Sequence, residues 1–189
     1  VENLHPDAIL HHDDWGSQRS SFVSPEMFEE FFLPAYKKIY GFYKANGVEL
    51  IVHHSDSYAA NLVPYMIEMG IDIWQGVMTT NDVPELIKKY GGVVVGLTID
   101  ESGIPDTAEG RLEVARKIIK EAAKYGIDKK DIVIDVLAMT ISSDPDSARI
   151  TLDAVKLVRE KCGVRTVLGV SNISFGLPYR PAVNSNFYT

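Results

Sequence analysis

The sequence predicts an α/β fold in which strands and helices alternate along the whole chain. Short apolar runs, of the kind that form strands covered on both faces, end repeatedly in polar residues. Segments with apolar residues at helical spacing follow these runs after short connections. Such alternation is typical of a parallel sheet with helices outside it. We therefore expect the chemically active side chains at the carboxyl ends of the strands.

Three strands are predicted in the first half of the chain, at residues 8–10, 48–53 and 71–76. The first helix opens with Ser24 as its N-cap and Pro25 at its first helical position. Pro34 should kink this helix and Gly47 should end it. Two further helices are predicted near residues 58–69 and 83–90.

The second half repeats the same pattern. Strands are predicted at residues 93–99, 131–135 and in the segment 166–174, whose apolar run leads into the polar residues from Ser171 onward. Helices are predicted at residues 107–125 and 146–161, with a further helix start after the last strand. The polar residues Ser171, Asn172 and Ser174 at the end of the last run mark a candidate site.

The number of repeats limits the architecture. A closed eight-stranded barrel usually takes about 250 residues. Six β/α units in 189 residues are two short of closure. The barrel is incomplete and takes strands from another copy, or it closes unusually, or the sheet is open. Because exposed strand edges invite pairing, we expect a homodimer or a strand exchange.

Composition excludes several classes of function. The net charge of −7 argues against a nucleic-acid-binding face or a membrane-surface role. We find no apolar run near the roughly 20 residues that span a bilayer. The single cysteine, Cys162, rules out an intrachain disulfide framework, so we expect a cytoplasmic protein.

The second half of the chain resembles the pterin-binding (β/α)8 barrel of cobalamin-dependent methyltransferases. This family includes the folate module of methionine synthase and the methyltetrahydrofolate:corrinoid methyltransferases. The matching segments are residues 94–105, 132–137 and 166–174, together with Arg180-Pro181 and Asn184. The resemblance implies a TIM-barrel fold, a methyltetrahydrofolate substrate and a corrinoid carried by a partner protein or module.

The first half resembles a different barrel group, the uroporphyrinogen decarboxylase superfamily, which also holds corrinoid methyltransferases. The matching segments are residues 12–19, 24–28, 52–53 and 90–92. They correspond to later strands of that barrel. We therefore expect one barrel-like domain, residues 1–189, in which a decarboxylase-like segment, 1–92, joins a pterin-binding-like segment, 93–189. A join at Gly91-Gly92 indicates a chimera, either engineered or a natural fusion.

The pterin resemblance assigns roles to Asp135 and Asn172. In that family the matching aspartate hydrogen-bonds the pterin ring, and the matching asparagine reaches toward N5, which carries the methyl group. A carboxylate can accept bonds from the 2-amino and N3 groups together, and an amide near N5 can assist a departing nitrogen. From residue type alone, both side chains could instead satisfy backbone groups at strand ends.

Four further residues are candidates for the same pterin site. Arg180 lies in the loop that matches the family, with a surface arginine as the alternative. Asp100 ends the fourth strand, where an N-cap or loop role is equally open. Asp56 and Gln75 stand nearest to polar pterin ligands that the family places on earlier strands.

A polar cluster is also predicted at the strand ends of the first half. It contains His11, His12, Asp13, Asp14, His53, His54 and Asp56. Imidazoles and carboxylates suit zinc. However, Ser55 stands where the resembling methyltransferases have a zinc-binding cysteine, so we expect no thiol-activating zinc site, no tightly bound metal, and a solvated polar cleft.

These features predict methyl transfer from methyltetrahydrofolate to a corrinoid on another protein. The alternative is an engineered or fragmentary barrel scaffold without catalytic activity. A decarboxylase-like enzyme is a third hypothesis, and bound zinc would favour it.

Overall fold

The computed structural model describes residues 4–189 and divides the chain into two compact units. Unit 1 ends at Leu86 and unit 2 begins at Ile87, within the helix that precedes Gly91-Gly92. Within the described residues, each unit contains a three-stranded parallel sheet. The α/β class with parallel sheets is therefore confirmed.

The sheet of unit 1 has the order β1-β2-β3. Its strands are β1 (Ala8–His12), β2 (Leu50–His54) and β3 (Ile73–Gln75). The parallel register sets His11 opposite His53, His12 opposite His54, and His54 opposite Gln75. Because β1 extends past the predicted strand end at Leu10, both neighbouring histidine pairs lie within the ladder.

The first helix of unit 1 begins as predicted, with Ser24 as its N-cap. The helices of this unit are α1 (Pro25–Met27), α2 (Leu33–Ala45), α3 (Val63–Glu68) and α4 (Val83–Tyr90), the last of which reaches across the unit boundary. The hydroxyl of Ser24 accepts a bond of 3.2 Å from Met27 N. A π-helical segment, Phe28–Phe32, precedes Pro34 and interrupts the helix, and Gly47 follows its end with φ of 89°.

The predicted helix at residues 58–69 is shorter in the structure. Residues Ala60–Leu62 form a 3-10 turn, and α3 begins only at Val63. Pro64 explains this start. Proline has no backbone N–H to donate inside a helix, but the N–H groups of the first helical turn have no partner within the helix, so a proline fits there.

The core of unit 1 is rich in aromatic rings. Trp15, Phe28, Tyr36 and Tyr40 are buried in one cluster with aliphatic residues such as Ile51. The indole Nε1 of Trp15 donates to the Tyr36 hydroxyl at 2.9 Å, and the Tyr36 hydroxyl contacts a carboxylate oxygen of Asp13. The polar atoms of these rings are thus satisfied inside the core.

The sheet of unit 2 has the order β4-β5-β6. Its strands are β4 (Val94–Leu97), β5 (Ile132–Asp135) and β6 (Arg165–Val167), and its helices are α5 (Ala108–Lys124), α6 (Ser147–Cys162) and α7 (Arg180–Tyr188). The buried cluster consists of aliphatic side chains and Cys162. In the ladder, Asp135 at the end of β5 pairs with Leu97 and with Val167.

The last predicted strand is too long. The apolar run from Thr166 is extended only as far as Val167, and the segment Val170–Ser174 is a 3-10 helix. The reason lies in the neighbouring strand: Val167 pairs with Asp135, the last residue of β5, so the chain beyond it has no ladder partner there. Local bonds replace the ladder, including Asn172 N to Gly169 O at 3.1 Å.

Among residues 4–189, no helix combines the length and apolarity needed to cross a bilayer.

Candidate functional site

The carboxyl edge of the β4-β5-β6 sheet collects the candidate residues of unit 2. Asp135 ends the central strand, Asp100 follows β4, and Asn172 follows β6. The three loops are neighbours because their strands are hydrogen-bonded in that order. Thr98 N donates to Asp135 O at 3.0 Å, which carries the ladder one residue past β4.

The Asp135 carboxylate is half-buried at this edge. Its Oδ1 accepts a bond of 2.8 Å from Leu137 N, two residues further on. Burial raises the pKa of Asp135 above its ordinary value, and the bond from Leu137 only partly offsets this rise. A carboxylate with incomplete solvation gains more from a ligand that brings donors than an exposed one does.

The turn after Asp135 is strained and pinned by a buried arginine. Leu137 has φ of 63°, in the left-handed region that is unfavourable for a residue with a branched side chain. From α5, Arg111 Nη1 donates to Leu137 O at 2.8 Å and to Val136 O at 3.2 Å, and its Nε donates to Pro105 O at 3.0 Å. These bonds fix the backbone on which Asp135 stands.

Sequence reasoning missed Arg111. The side chain is 2% exposed, and its fourth acceptor is Thr151 Oγ1 at 3.2 Å. Burial lowers the pKa of its guanidinium, which Asp106 opposes, but arginine stays charged in proteins. The available signal was an arginine beside the apolar positions Leu112 and Ala115 of α5, both of which are buried.

Asn172 lies on the 3-10 helix after β6 with its side chain exposed. Gly169 keeps space beside it, since a Cβ at that position would lie 3.2 Å from the Asn172 amide nitrogen. The Asn172 amide is therefore available to a ligand that approaches this edge of the sheet.

Arg180 braces the Asn172 loop. Its Nε donates to Ser174 Oγ at 3.1 Å, and its Nη2 donates to Ser171 O at 2.9 Å. Both acceptors flank Asn172 in the 3-10 helix. The structure thus gives Arg180 a positioning role, with further guanidinium donors left for a ligand.

The loops after β5 and β6 are bonded to each other. Ile141 N donates to Ile173 O at 3.1 Å, and Thr140 Oγ1 donates to Phe175 O at 2.9 Å. Ser142 Oγ donates to the same Phe175 carbonyl at 3.1 Å. The segments that carry Asp135 and Asn172 are consequently held as one surface.

The Asp100 carboxylate takes part in its own loop. Its Oδ1 accepts bonds from Ser102 Oγ at 2.5 Å and Ser102 N at 3.0 Å, and its Oδ2 pairs with Lys117 Nζ at 3.3 Å. The pKa of Asp100 is held below its ordinary value. The main cause is the hydrogen bond from the Ser102 hydroxyl, followed by those from the Ser102 amide and Lys117. This geometry favours the loop role.

Thr98 is a second residue that sequence reasoning missed. It directly follows β4, is fully buried, and its hydroxyl oxygen has no hydrogen-bond partner among the described residues. Asn184, in the segment that matches the pterin family, has a buried amide oxygen that likewise has no hydrogen-bond partner among the described residues. Buried polar atoms without partners are uncommon and concentrate where function constrains a fold.

Asp56 and Gln75 belong to unit 1. Asp56 N donates to Asp14 Oδ1 at 3.2 Å, and its carboxylate is exposed. The amide oxygen of Gln75 contacts His54 Nδ1. Both residues stand at the carboxyl edge of the β1-β2-β3 sheet, as predicted.

The concave regions of the surface do not coincide with the strand-end residues Asp135 and Asn172. A concave region of unit 2 is an apolar groove beside α6 and α7, lined by residues that include Ile141, Leu152, Ile173, Val183 and Phe187. Neither Asp135 nor Asn172 lines it. The groove is lined mostly by apolar side chains, so it offers few of the polar partners that a pterin needs and that the strand ends provide.

The predicted polar cluster of unit 1 separates into a buried part and an exposed part. His53 is fully buried, and its Nε2 lies 3.0 Å from Asp13 O while Tyr40 OH lies 2.8 Å from its Nδ1. A carbonyl accepts only, so Nε2 carries the proton and Nδ1 accepts from Tyr40. Burial lowers the pKa of His53 to about 4, so this ring is a neutral part of the core.

Comparison with known proteins confirms both resemblances. The family profile described as pterin binding enzyme matches residues 56–186, and the profile described as uroporphyrinogen decarboxylase matches residues 6–98. The two matches overlap between residues 56 and 98.

Two curated relatives match about half of this chain. Methionine synthase of Mycobacterium leprae is 40% identical over an alignment of 111 residues, and the match covers 54% of this chain and 9% of that protein. Methylcorrinoid:tetrahydrofolate methyltransferase of Eubacterium limosum is 35% identical over 97 residues, which are 51% of this chain and 36% of that protein. The matched region is therefore a minor part of either relative.

Among solved structures, Xanthomonas albilineans dihydropteroate synthase is 14% identical, with a TM-score of 0.47 over 93% of this chain and 66% of that one. The matched family profile, by contrast, extends over well more than half of the sequence and includes Asp135 and Asn172. On that ground, the chain belongs to the pterin-binding enzyme family.

Proposed function

We propose that the chain binds methyltetrahydrofolate and presents its N5 methyl group to a corrinoid held by a separate protein or module. The observation that carries this proposal is the pairing of two adjacent strand ends in unit 2. Asp135 ends β5, Asn172 follows β6, and the two loops are bonded together.

Asp135 is proposed to orient the pterin ring. Its carboxylate can accept from the 2-amino and N3 groups of the pterin together, which fixes the ring in its own plane. The raised pKa of Asp135 agrees with this role, because the pterin donors would replace solvation that burial has removed. Arg111 and Leu137 hold the carboxylate in place from behind.

Asn172 is proposed as the catalytic residue. The corrinoid would supply cobalt(I) as the nucleophile. The methyl group would pass to the corrinoid cobalt, which would supply the electron pair of the new bond, while the pair of the broken N5–methyl bond would stay on N5 and N5 would take up a proton. An amide near N5 strengthens its hydrogen bond as this nitrogen gains the electron pair and takes up a proton. Asn172 therefore stabilises the transition state more than the bound substrate.

The remaining candidates have narrower support. Arg180 positions the Asn172 loop and can reach a ligand with its free donors. Asp100 is tied to Ser102 and Lys117, which weakens its case as a pterin ligand. Asp56 and Gln75 stay predictions, resting on their place at the strand ends of unit 1.

The chimeric barrel is our proposal for the architecture: decarboxylase-like residues 1–92 and pterin-binding-like residues 93–189 form one barrel-like domain. The decarboxylase profile match ends at residue 98, shortly after Gly91-Gly92, which supports a join there, although the pterin profile match begins earlier, at residue 56. Apolar strand residues are exposed in both units, for example Leu10 at 65% and Val95 at 53%. Such surfaces favour association, so we predict a homodimer; a monomer mass in light scattering across the micromolar range would contradict this.

A scaffold without turnover is the second candidate function. It is favoured by the apolar groove of unit 2, which holds neither Asp135 nor Asn172. In this alternative the family motifs persist without a complete pterin pocket.

Transfer of the methyl group to free cob(I)alamin tests the proposal. The parent chain should convert methyltetrahydrofolate with an absorbance change at the corrinoid, and Asn172→Ala should slow the transfer by about 100-fold with a smaller effect on pterin affinity. Asn186→Ala, at an exposed asparagine of α7, is the matched control and should behave as the parent. A parent chain that transfers no methyl group would contradict the proposed transfer, and one that also binds no pterin would favour the scaffold.

A further inference from the structure

The exposed part of the histidine cluster in unit 1 has the composition of a metal site. His12 ends β1, His54 ends β2, and Asp14 follows two residues after His12. One potential ligand atom from each of these three side chains lies within 4.8 Å of the others. In place of the solvated cleft without a bound metal that the sequence predicts, we propose that His12, Asp14 and His54 bind a divalent transition-metal cation of the zinc type.

The parallel ladder brings the two imidazoles together. His12 and His54 are partners in the register of β1 and β2, and their ring centroids are 4.2 Å apart. The preceding pair, His11 and His53, has the same register. Because side chains alternate between the two faces of a strand, His53 enters the core and His54 stays outside it.

The distances suit a tetrahedral ion after small rotations. Zinc bonds to nitrogen and oxygen of about 2.0–2.1 Å imply separations of about 3.4 Å between neighbouring ligand atoms. His12 Nε2 lies 3.7 Å from Asp14 Oδ2. The wider separations can close mainly through His12, whose side chain is 65% exposed, while that of Asp14 is 39% exposed.

Neighbouring groups already orient two of the ligands. The amide oxygen of Gln75 contacts His54 Nδ1, and an amide oxygen only accepts, so Nδ1 carries the proton and Nε2 keeps its lone pair for a metal. Asp14 Oδ1 accepts from Asp56 N at 3.2 Å, which leaves Oδ2 for the ion.

Gly76 makes room for the His54 ring. A Cβ at this position would lie 3.0 Å from His54 Cε1, closer than side-chain atoms normally approach, and Gly76 has φ of 85°. The glycine after β3 therefore lets the ring sit against the backbone in a fixed orientation. This arrangement of a ligand and its support resembles the hydrogen-bonded histidines of known metal centres.

The ligand set indicates which ions fit. Two imidazoles and one carboxylate suit zinc, cobalt, nickel or copper, whereas magnesium and calcium prefer oxygen ligands alone. Three protein ligands leave a fourth position for water or a substrate atom, as in zinc sites that are open. The site lies wholly in unit 1, so it is independent of the function proposed for Asp135 and Asn172.

Metal titration of the full chain tests this proposal. The protein is first stripped with a chelator and dialysed, then titrated with zinc chloride by calorimetry, and in parallel with cobalt(II) while visible absorption is recorded. We expect one equivalent of zinc to bind and cobalt to give the intense visible bands of a four- or five-coordinate ion. Binding should weaken at low pH, since protons compete for the imidazole nitrogens.

The variants separate a built site from scattered surface histidines. His12→Ala, His54→Ala and Asp14→Asn should each weaken zinc binding by at least about 10-fold and remove the cobalt bands. Gln75→Ala should weaken zinc binding by about 10-fold while the cobalt bands remain, because it only orients His54. His5→Asn, at another exposed histidine, should bind as the parent does.

Circular dichroism confirms that each variant is folded before it is titrated. Parental affinity in both His12→Ala and His54→Ala would overturn the proposal, as would a parent chain that shows no saturable zinc binding. An equal loss in His5→Asn would also overturn it, because binding would then reflect histidine count alone.

Discussion

The two units share one sheet layout but stabilise it differently. Unit 1 packs rings such as Trp15, Phe28 and Tyr40 around His53 and satisfies their polar atoms within the core. Unit 2 packs aliphatic side chains in its buried cluster, and its carboxylate Asp135 stands half-buried at the sheet edge. The comparison teaches that equal strand order does not imply equal chemistry, because the strand-end group His53 is part of the core in unit 1, whereas Asp135 stands at the candidate ligand surface in unit 2.

In each unit, a buried polar side chain also fixes loops beyond the strands. In unit 1, Asn81 Oδ1 accepts from Ala59 N at 2.8 Å and Ala60 N at 2.9 Å, while its Nδ2 donates to Ser57 O at 2.9 Å. In unit 2, Arg111 donates to three backbone carbonyls and to Thr151. The anchor is neutral in one unit and charged in the other.

The largest stability effect is expected from Arg111→Ala. The change leaves buried carbonyls without donors and should lower the free energy of unfolding by about 4 kcal/mol, as measured by urea denaturation. Arg116→Ala, at an exposed arginine of the same helix paired only with Glu113 at the surface, should cost at most about 0.5 kcal/mol. Similar losses in both variants would refute the anchor role.

Asn81→Ala should cost less, about 3 kcal/mol, because the bonds it removes are uncharged. Both tryptophans, Trp15 and Trp74, lie in unit 1, so their fluorescence follows this loss directly. A transition in tryptophan fluorescence that does not move would show that Asn81 is dispensable.

Acid should weaken unit 1 through His53. The pKa of the buried ring is lowered to about 4 from an ordinary 6.5, so the unfolded chain binds the proton first as the pH falls. Stability should therefore decrease between pH 6.5 and pH 4, by up to about 3 kcal/mol, and level off below. His53→Gln keeps a donor and an acceptor without this titration, and its free energy of unfolding should depend less on pH over that range. If the free energy of unfolding depended on pH equally in the parent and in His53→Gln, the pH dependence would not arise from His53.

The smallest effects are expected at the helix N-caps, where the loss of stability should be similar in the two units. Ser24 caps α1 through Met27 N, and Thr107 caps α5 through Gly110 N at 3.0 Å. Ser24→Ala and Thr107→Ala should each cost about 1 kcal/mol, whereas Ser24→Asp should retain most of the stability. A cost confined to one unit would mean that the other helix start is held by packing.

Most strand positions could be predicted from apolar runs, because each run forms one strand of a parallel sheet. The exceptions have physical causes outside the run itself. The strand at Thr166 stops at Val167 because its neighbour stops at Asp135, and the helix at Leu33 follows a π-helical segment ahead of Pro34. Ladder partners and helix interruptions depend on residues that a local pattern does not contain.

Site residues divide in the same way. Asp135 and Asn172 could be named because the segments that contain them resemble those of the pterin-binding family; Asp135 ends β5, and Asn172 lies on the 3-10 helix after β6. Arg111 and Asn81 could not, since their partners are backbone groups distant in sequence. The split between His53 and His54 was within reach, because neighbouring residues of a strand face opposite sides.

Calorimetric titration of the full chain with methyltetrahydrofolate tests the central claim most directly. The parent should bind one equivalent, and Asp135→Asn should weaken binding by about 10- to 100-fold through the loss of charged hydrogen bonds. Asp128→Asn, at an exposed aspartate of unit 2, should bind as the parent does. Absence of saturable binding in the parent, or equal affinity in the parent and Asp135→Asn, would contradict a pterin site at the end of β5.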